Sequence, residues 1–347
     1  MADARHGRGS MKVFVTGGTG LVGSHVVAAL RARGDAVRAL ARSETSAAAL
    51  ARLGAEPARG DLSDAARLEA LIAGCDAVVH SAAAVLQCGG WEEWREVNVL
   101  GTERVARGAA AARARLVHLS SVAVYGRSRA AIDRPGHAED FDLQRAPAVR
   151  EPYARSKREA EVALWRVARE TGLSAVALRP CVLYGEGDRH FSPRVAQVVR
   201  RGIVPLFGDG GNRIAVVYAG NVAAAVLAAL DRPETTGPFN ITADGQLTLR
   251  EFVERFAAGL GVTPHWVRIP RSFAWSVARS WDATIGALGS GAAPSLSSAV
   301  QFLAGENRYS SARAERTLGW RPAVPAAEAA ERTGASFRVP ARRRPAP

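Results

Sequence analysis

The chain has 347 residues, 48% of them apolar and 23% charged, with a formal net charge of +13. That is ordinary composition for a folded protein; it supplies enough apolar surface for a sizeable core and excludes disorder as the main state. A positive balance raises nucleic acid as a partner, but the cations are spread along the chain with acids between them, apart from Arg342, Arg343 and Arg344, so no phosphate-neutralising face is indicated and no nucleic-acid partner is expected.

The basic residues are lopsided: of 46, only Lys12 and Lys157 are lysines, and the other 44 are arginines. Cys75, Cys88 and Cys181 have neither disulfide-framework nor zinc-ligand spacing, which fits a reducing cytoplasm. Residues 1–10 lack the apolar segment of a signal peptide and read as a flexible tail, as do 336–347. Residues 283–305 are uncharged, but Gly, Ser and Pro fill them, so no transmembrane span is expected.

In chain order, β-branched runs at 12–16, 36–41, 77–80, 115–120 and 175–179 alternate with stretches of helical composition at 21–33, 64–73, 92–112 and 153–171. Such alternation predicts an α/β fold: a Rossmann-type, doubly wound parallel sheet covered on both faces. Gly34 and Gly172 stand just past two of the helices, where a left-handed residue ends the turn. After Pro180 the alternation breaks down. The expectation is a dinucleotide-binding domain over 11–180 and a smaller substrate lobe from 181–213 and 243–335. Strands near 214–217 and 239–242 would return to complete the sheet, and a last helix would fall near 324–333.

Gly17, Gly20 and Gly23 follow the first strand directly and lead into the first helix, with Thr19, Leu21 and Val22 between and beside them. That context fits a pyrophosphate cradle: one glycine for the tight turn, one for backbone approach to the anion, one for close packing of helix on sheet. The helix N-terminus adds unpaired N–H groups and partial positive charge. At the end of the second strand, where an acid grips the ribose 2′-hydroxyl of NAD, the chain has Ala41 and Arg42. An arginine suits a 2′-phosphate, which favours NADP(H) over NAD(H), although a solvated surface arginine is the bland reading. Asp61, beside Leu62, is a candidate ligand of the adenine amino group or a cap for the helix near residue 64.

Ser120 and Ser121 end the strand at 115–120, and Tyr153 and Lys157 lie four residues apart in a helical segment, on one face. Free tyrosine titrates near ~10. An ammonium about 4 Å away at an effective dielectric of ~20 favours the phenolate by roughly 4 kcal/mol, poising Tyr153 for acid/base work. Ser121 would hold the reacting oxygen. A lysine at this position in so arginine-rich a chain argues for the compact ammonium, which fits between a ribose and a phenol where a guanidinium does not.

With these motifs in view, the chain resembles the extended short-chain dehydrogenase/reductases, the NAD-dependent epimerase/dehydratase family, over residues 11–333. The matching stretches are TGGTGLVG, GDL at Gly60, HSAAAV at His80, VNVLGT at Val97, SSVAVYG at Ser120, YARSK, LRPCVLYGEGD at Leu178, VVYAGNVAAA at Val216, FNIT at Phe239 and LGWRP at Leu318. The resemblance implies that Ser121, Tyr153 and Lys157 form the catalytic set. It implies that Ala82, Ala83, Asn98, Pro180 and Val182 accompany the cradle around the cofactor, that Val85, Val122 and Tyr184 line the substrate, and that Arg179 leads into the substrate lobe. Gly220 and Asn221 replace the acid usual in sugar-nucleotide epimerases, a form that looks more like the 3β-hydroxysteroid dehydrogenase branch. A homodimer through the 92–112 and Tyr153 helices is also what the resemblance suggests.

Phe273, Trp275 and Trp281 read as an apolar lid for a bulky substrate or as ordinary core of the small lobe. Arg213 is a candidate anion ligand, His190 and Phe191 candidate pocket residues, and Cys181 a small buried hydrophobe. The leading expectation is an oxidoreductase interconverting a secondary alcohol and ketone on a bulky apolar small molecule. The alternatives are a nucleotide-sugar epimerase or dehydratase, and a dinucleotide-binding regulator without catalysis.

Overall fold

The structure, a computed structural model, describes residues 9–85, 90–126, 138–144, 149, 151–242, 247–287, 296–305, 307 and 309–338. Cys88, residues 1–8 and residues 339–347 lie outside the described residues. The chain divides into two compact units: 1–181, 219–242 and 309–323 form the first, and 182–218, 243–308 and 324–347 the second.

The first unit is built on seven parallel strands. In chain order its elements begin β1 (Lys12–Thr16), α1 (Leu21–Arg33), β2 (Ala36–Ala41), α2 (Glu44–Arg52), β3 (Glu56–Arg59), α3 (Ala65–Ile72) and β4 (Ala77–His80). They continue with α4 (Trp91–Trp94), a π-helical turn (Arg95–Leu100), α5 (Gly101–Ala111), β5 (Arg115–Leu119), a 3-10 turn (Val122–Tyr125), α6 (Pro152–Thr171) and β6 (Ala175–Pro180). The sheet order is β10-β6-β5-β4-β1-β2-β3, where β10 is Gly237–Ile241. Its central strands are buried end to end, as β-branched and aliphatic runs covered on both faces must be. Phe14, Leu40, Val78 and Leu116 pack with Leu68, Val105, Leu164 and Val167 from α3, α5 and α6 on one face.

Local chemistry explains the element ends. α1 stops at Gly34, φ 92°, with Arg31 and Arg33 in its last turn facing the negative end of the helix dipole. α6 starts on a Glu151 cap and Pro152 and stops at Gly172. A helix that the alternation pattern does not predict, α2, is nucleated by a reciprocal Ser43–Ser46 capping box. The stretch expected as one helix over 92–112 is instead α4, the π turn and α5. Such insertions re-aim side chains, here that of Asn98.

The second unit contains β7 (Val182–Tyr184), α7 (Ser192–Arg200), β8 (Ile203–Phe207), β9 (Val216–Tyr218), α9 (Leu249–Leu260), β11 (His265–Ile269), α10 (Arg271–Ala287), α11 (Leu296–Ala304) and α13 (Ala326–Ser336). Between them in the chain, α8 (Ala219–Leu230) and α12 (Ala312–Leu318) belong to the first unit. Two expectations are corrected here. Residues 214–217 do not return to the large sheet: β9 pairs with β7 in a two-stranded sheet of the second unit, Val216 opposite Val182. The physical reason is that β10 already occupies the sheet edge beside β6, with Asn240 opposite Arg179. Residues 309–323, expected in the small lobe, join the first unit, where Trp320 donates its indole N–H to the Asn221 carbonyl at 3.0 Å.

α9 and α13 touch backbone to backbone in the second unit, because a Cβ on Gly259 would overlap the Glu331 carbonyl and one on Gly334 the Phe256 carbonyl. Gly259→Ala is expected to force the helices apart and lower stability by roughly 2 kcal/mol. A urea titration checks this; an unchanged midpoint would count against the contact.

Candidate active site

β1 runs directly into Gly17, φ 71°, and the Gly20 N–H closes the turn on the Gly17 carbonyl at 2.9 Å. A Cβ on Gly17 would overlap the Ala82 backbone and one on Gly23 the Gly17 carbonyl, whereas Gly20 meets only that carbonyl, at 3.2 Å. The loop therefore leaves backbone open at Gly20, and α1 begins there with no side-chain cap. This cradle fits a pyrophosphate. Thr19 is exposed, Leu21 half-buried and Val22 buried.

Arg42 is exposed at the end of β2. The Asp61 carboxylate accepts from the Ser63 N–H at 2.9 Å and hydroxyl at 2.8 Å. Those bonds, helped by Arg42 and Arg104, hold it below the usual carboxylate range. Capping α3 falls to Asp64, which accepts from the Arg67 N–H at 2.9 Å, so Asp61 is not that cap. Leu62 is buried beside it. Ala82 and Ala83 are half-buried after β4, and Val85 is exposed. Asn98, turned by the π segment, clamps the Ala84 N–H at 2.7 Å and carbonyl at 3.0 Å, and donates to the Ser156 hydroxyl at 2.8 Å. Ser156 in turn donates to the Tyr153 carbonyl at 2.8 Å.

The structure brings Ser121, Tyr153 and Lys157 together. Ser121 opens the 3-10 turn containing Val122, accepting from the Ala123 N–H at 3.1 Å, and hydrogen-bonds the Tyr153 phenol. Trp94 meets the Tyr153 ring edge-on at 6.1 Å. Lys157 is buried, and its ammonium donates to the Leu119 carbonyl at 2.8 Å. One expectation reverses. The Tyr153 pKa is pushed up rather than down: burial raises it most, the Ser121 bond opposes, and the nearby Glu151 carboxylate adds to the rise. The reason is that Lys157 is drawn to the strand-end carbonyl, so its charge is engaged there rather than on the phenol. Burial instead lowers Lys157 to about 8, with Glu161 opposing.

Pro180 and Cys181 are buried at the end of β6, and Val182 is exposed at the start of β7. Within the second unit, Tyr184 is buried against Tyr218 and Phe252, and Phe191 packs on Phe252 and Phe302. Tyr184 belongs to that unit's core, and Phe191, half-buried, packs against it. His190 and Arg213 are exposed. Phe273, Trp275 and Trp281 are 63%, 37% and 52% exposed on α10, so their reading as core is corrected; α10 buries Ala274 and Ala278 instead.

Sequence reasoning misses several supports. Glu151 caps α6, accepting from the Ala154 N–H at 2.8 Å; an acid directly before a proline is the available signal. Arg179, expected to lead into the lobe, is instead buried on Glu161. A lysine at about 8 in the folded protein and 10.5 unfolded means that the unfolded chain binds the extra proton between those values, so this group's cost to stability disappears as pH rises through that window. Lys157→Met is therefore expected to be more stable than wild type near neutral pH, the difference shrinking by about 3 kcal/mol by pH ~10.5. Urea unfolding of both proteins across pH checks it; a constant difference would contradict the burial.

The description "NAD dependent epimerase/dehydratase family" matches residues 13–242. A 4-hydroxy-2-methyl-3-oxo-4-farnesyl-3,4-dihydroquinoline-1-oxide ketoreductase of Stigmatella aurantiaca is 32% identical, covering 89% of this chain and 92% of that protein. A 3 beta-hydroxysteroid dehydrogenase/Delta 5-->4-isomerase of Mycobacterium tuberculosis is 29% identical over 90% of this chain and 86% of its own length. Among solved structures, the Thermus thermophilus UDP-glucose 4-epimerase complex with NAD is 27% identical, with a TM-score of 0.66, covering 94% of this chain and 99% of that one. Family match, seven-stranded parallel sheet and relatives agree: the chain belongs to the NAD dependent epimerase/dehydratase family and is an NAD(P)-dependent enzyme of the short-chain dehydrogenase/reductase type.

Proposed function

We propose that this protein reduces a ketone on a bulky apolar small molecule, using NADPH. The observation that carries the reading is the Tyr153 phenol, held protonated by burial and hydrogen-bonded to Ser121. A tyrosine that keeps its proton at neutral pH suits the acid of a reduction. The similarity to a ketoreductase and a steroid dehydrogenase supports the direction and the apolar substrate.

A nicotinamide dinucleotide, when bound, supplies the hydride. Gly17, Thr19, Gly20, Leu21, Val22 and Gly23 would hold its pyrophosphate on backbone N–H groups, Asp61 and Leu62 its adenine end, and Ala82, Ala83, Asn98 and Pro180 its other flank. Ser121 donates to the substrate carbonyl oxygen and orients it. Tyr153 delivers the phenolic proton to that same oxygen, and the compact Lys157 ammonium would hold the nicotinamide ribose. Val85 and Val122 offer apolar contact to the substrate. Arg42 stands where an acid would repel a 2′-phosphate, which favours NADP(H). The similarity to a UDP-glucose 4-epimerase keeps one rival in view. That reaction returns the hydride to its substrate and leaves nicotinamide absorbance unchanged, whereas ketone reduction consumes NADPH stoichiometrically.

Tyr153→Phe is expected to lower kcat by about 100-fold or more while NADPH affinity, read by fluorescence titration, stays near wild type. Arg42→Ala should weaken NADPH binding about tenfold or more and leave NADH nearly unaffected; equal losses would sink the cofactor assignment. Because Lys157 titrates at about 8 and Tyr153 above its ordinary value, kcat/KM for reduction should fall as pH rises through 8, and the Lys157→Met variant should lack that limb.

A further inference from the structure

Glu161 lies one helical turn beyond Lys157 on α6 and is fully buried. Its carboxylate is saturated. Arg179 donates to Oε1 at 2.5 Å through Nη2 and to both oxygens at 3.1 Å through Nε; Trp165 donates to Oε1 at 3.1 Å and the Ser120 hydroxyl to Oε2 at 2.6 Å. Arg179 also donates to the Tyr125 hydroxyl at 2.7 Å, and Tyr125 donates to Asn240 at 2.8 Å. Taking two charges out of water offsets most of what their attraction returns, so stability alone is a weak reason to keep such a pair.

Its position supplies a better reason. Ser120 directly precedes Ser121, Leu119 accepts the Lys157 ammonium, and Tyr125 ends the turn that Ser121 opens. Two bonds one helical turn apart, Lys157 to Leu119 and Glu161 to Ser120, therefore lace α6 to the end of β5 and set the spacing of Tyr153 and Ser121. The other groups facing Lys157 supply no negative charge. His80, bonded to Thr16 at 2.7 Å and Thr102 at 3.1 Å, and His118, stacked on it at 5.3 Å, are both kept neutral by burial and by the lysine itself. Tyr153 retains its proton, and Arg179 stands across the carboxylate. Among the described residues, Glu161 is the anion acting on Lys157.

We infer that Glu161 is a positioning residue of the catalytic set: its carboxylate fixes Ser120 beside Ser121 and keeps Lys157 an ammonium, while Arg179 keeps that carboxylate ionised inside the protein. The inference rests on the proposed role of Lys157, and its test is made independent of turnover by the composition. With Lys12 and Lys157 the only lysines, protein labelled with 15N at the lysine side chain gives two resonances whose titrations are read directly. In wild type the Lys157 signal should titrate near 8, and in Glu161→Gln about one pH unit or more lower. A Lys157 midpoint that does not move overturns the inference.

Glu161→Asp guards against loss of folding, since it keeps the charge opposite Arg179 but draws the carboxylate back from Ser120. It should leave the Lys157 midpoint near wild type while lowering kcat about fivefold or more, and Ser120→Ala should match it. Unaltered kcat in both would remove the Ser120 half of the inference. A shifted Lys157 titration in a protein that reduces no ketone would instead overturn the proposed reaction and leave the electrostatic coupling standing.

Discussion

One buried ammonium constrains the architecture around the site. Lys157 sits shut from water with its charge on the Leu119 carbonyl, at the point where β5 leaves the sheet. Desolvating that charge costs stability, which only nearby partners return. The strand end must stop where its carbonyl is free, α6 must run close enough for a lysine to reach it, and an anion must sit within a turn. Arginine, abundant everywhere else in the chain, is too broad for the position.

The second constraint is steric. β1, the turn after it and α1 approach so closely that Gly17 and Gly23 abut backbone, leaving no room for a Cβ. The same closeness puts the start of α1 at the C-terminal edge of the sheet, beside the Ala82 and Ala83 segment that Asn98 clamps from the π turn. Parallel strands deliver these pieces to one edge, since every strand ends there and each crossover helix starts there. Tyr153, Ser121 and Lys157 arrive at that edge from α6 and the end of β5.

Much of the first unit is legible in the chain. Glycine spacing after an apolar strand, period-2 and helical patterns in alternation, and a tyrosine and lysine four residues apart depend on local geometry alone. Strands over 12–16, 36–41 and 77–80 and the helix over 21–33 fall where those patterns put them. Spacing alone gives the ionisation of Tyr153 the wrong sign, because it places the lysine on the same face without saying where its ammonium points. Phe191 reads as a pocket residue from its loop setting, and in the structure its ring packs, half-buried, on Phe252 and Phe302, contacts that its place in the chain does not announce. The return of 214–217 to the sheet fails for a similar reason: a short β-branched run carries no mark of which strand it will pair with.

The sequence by itself determined the sheet and the glycine turn, since these follow from nearest-neighbour propensity and backbone conformations open to glycine. Tertiary structure decided which charges share a low-dielectric interior. Glu161 lies on α6, Arg179 on β6 and Ser120 just past β5, and nothing in their order along the chain announces that they meet; only the register of β5 beside β6 and the packing of α6 across both bring them within hydrogen-bond reach. Proton affinity depends on that neighbourhood far more than on residue type, so the poise of the site had to be read in three dimensions.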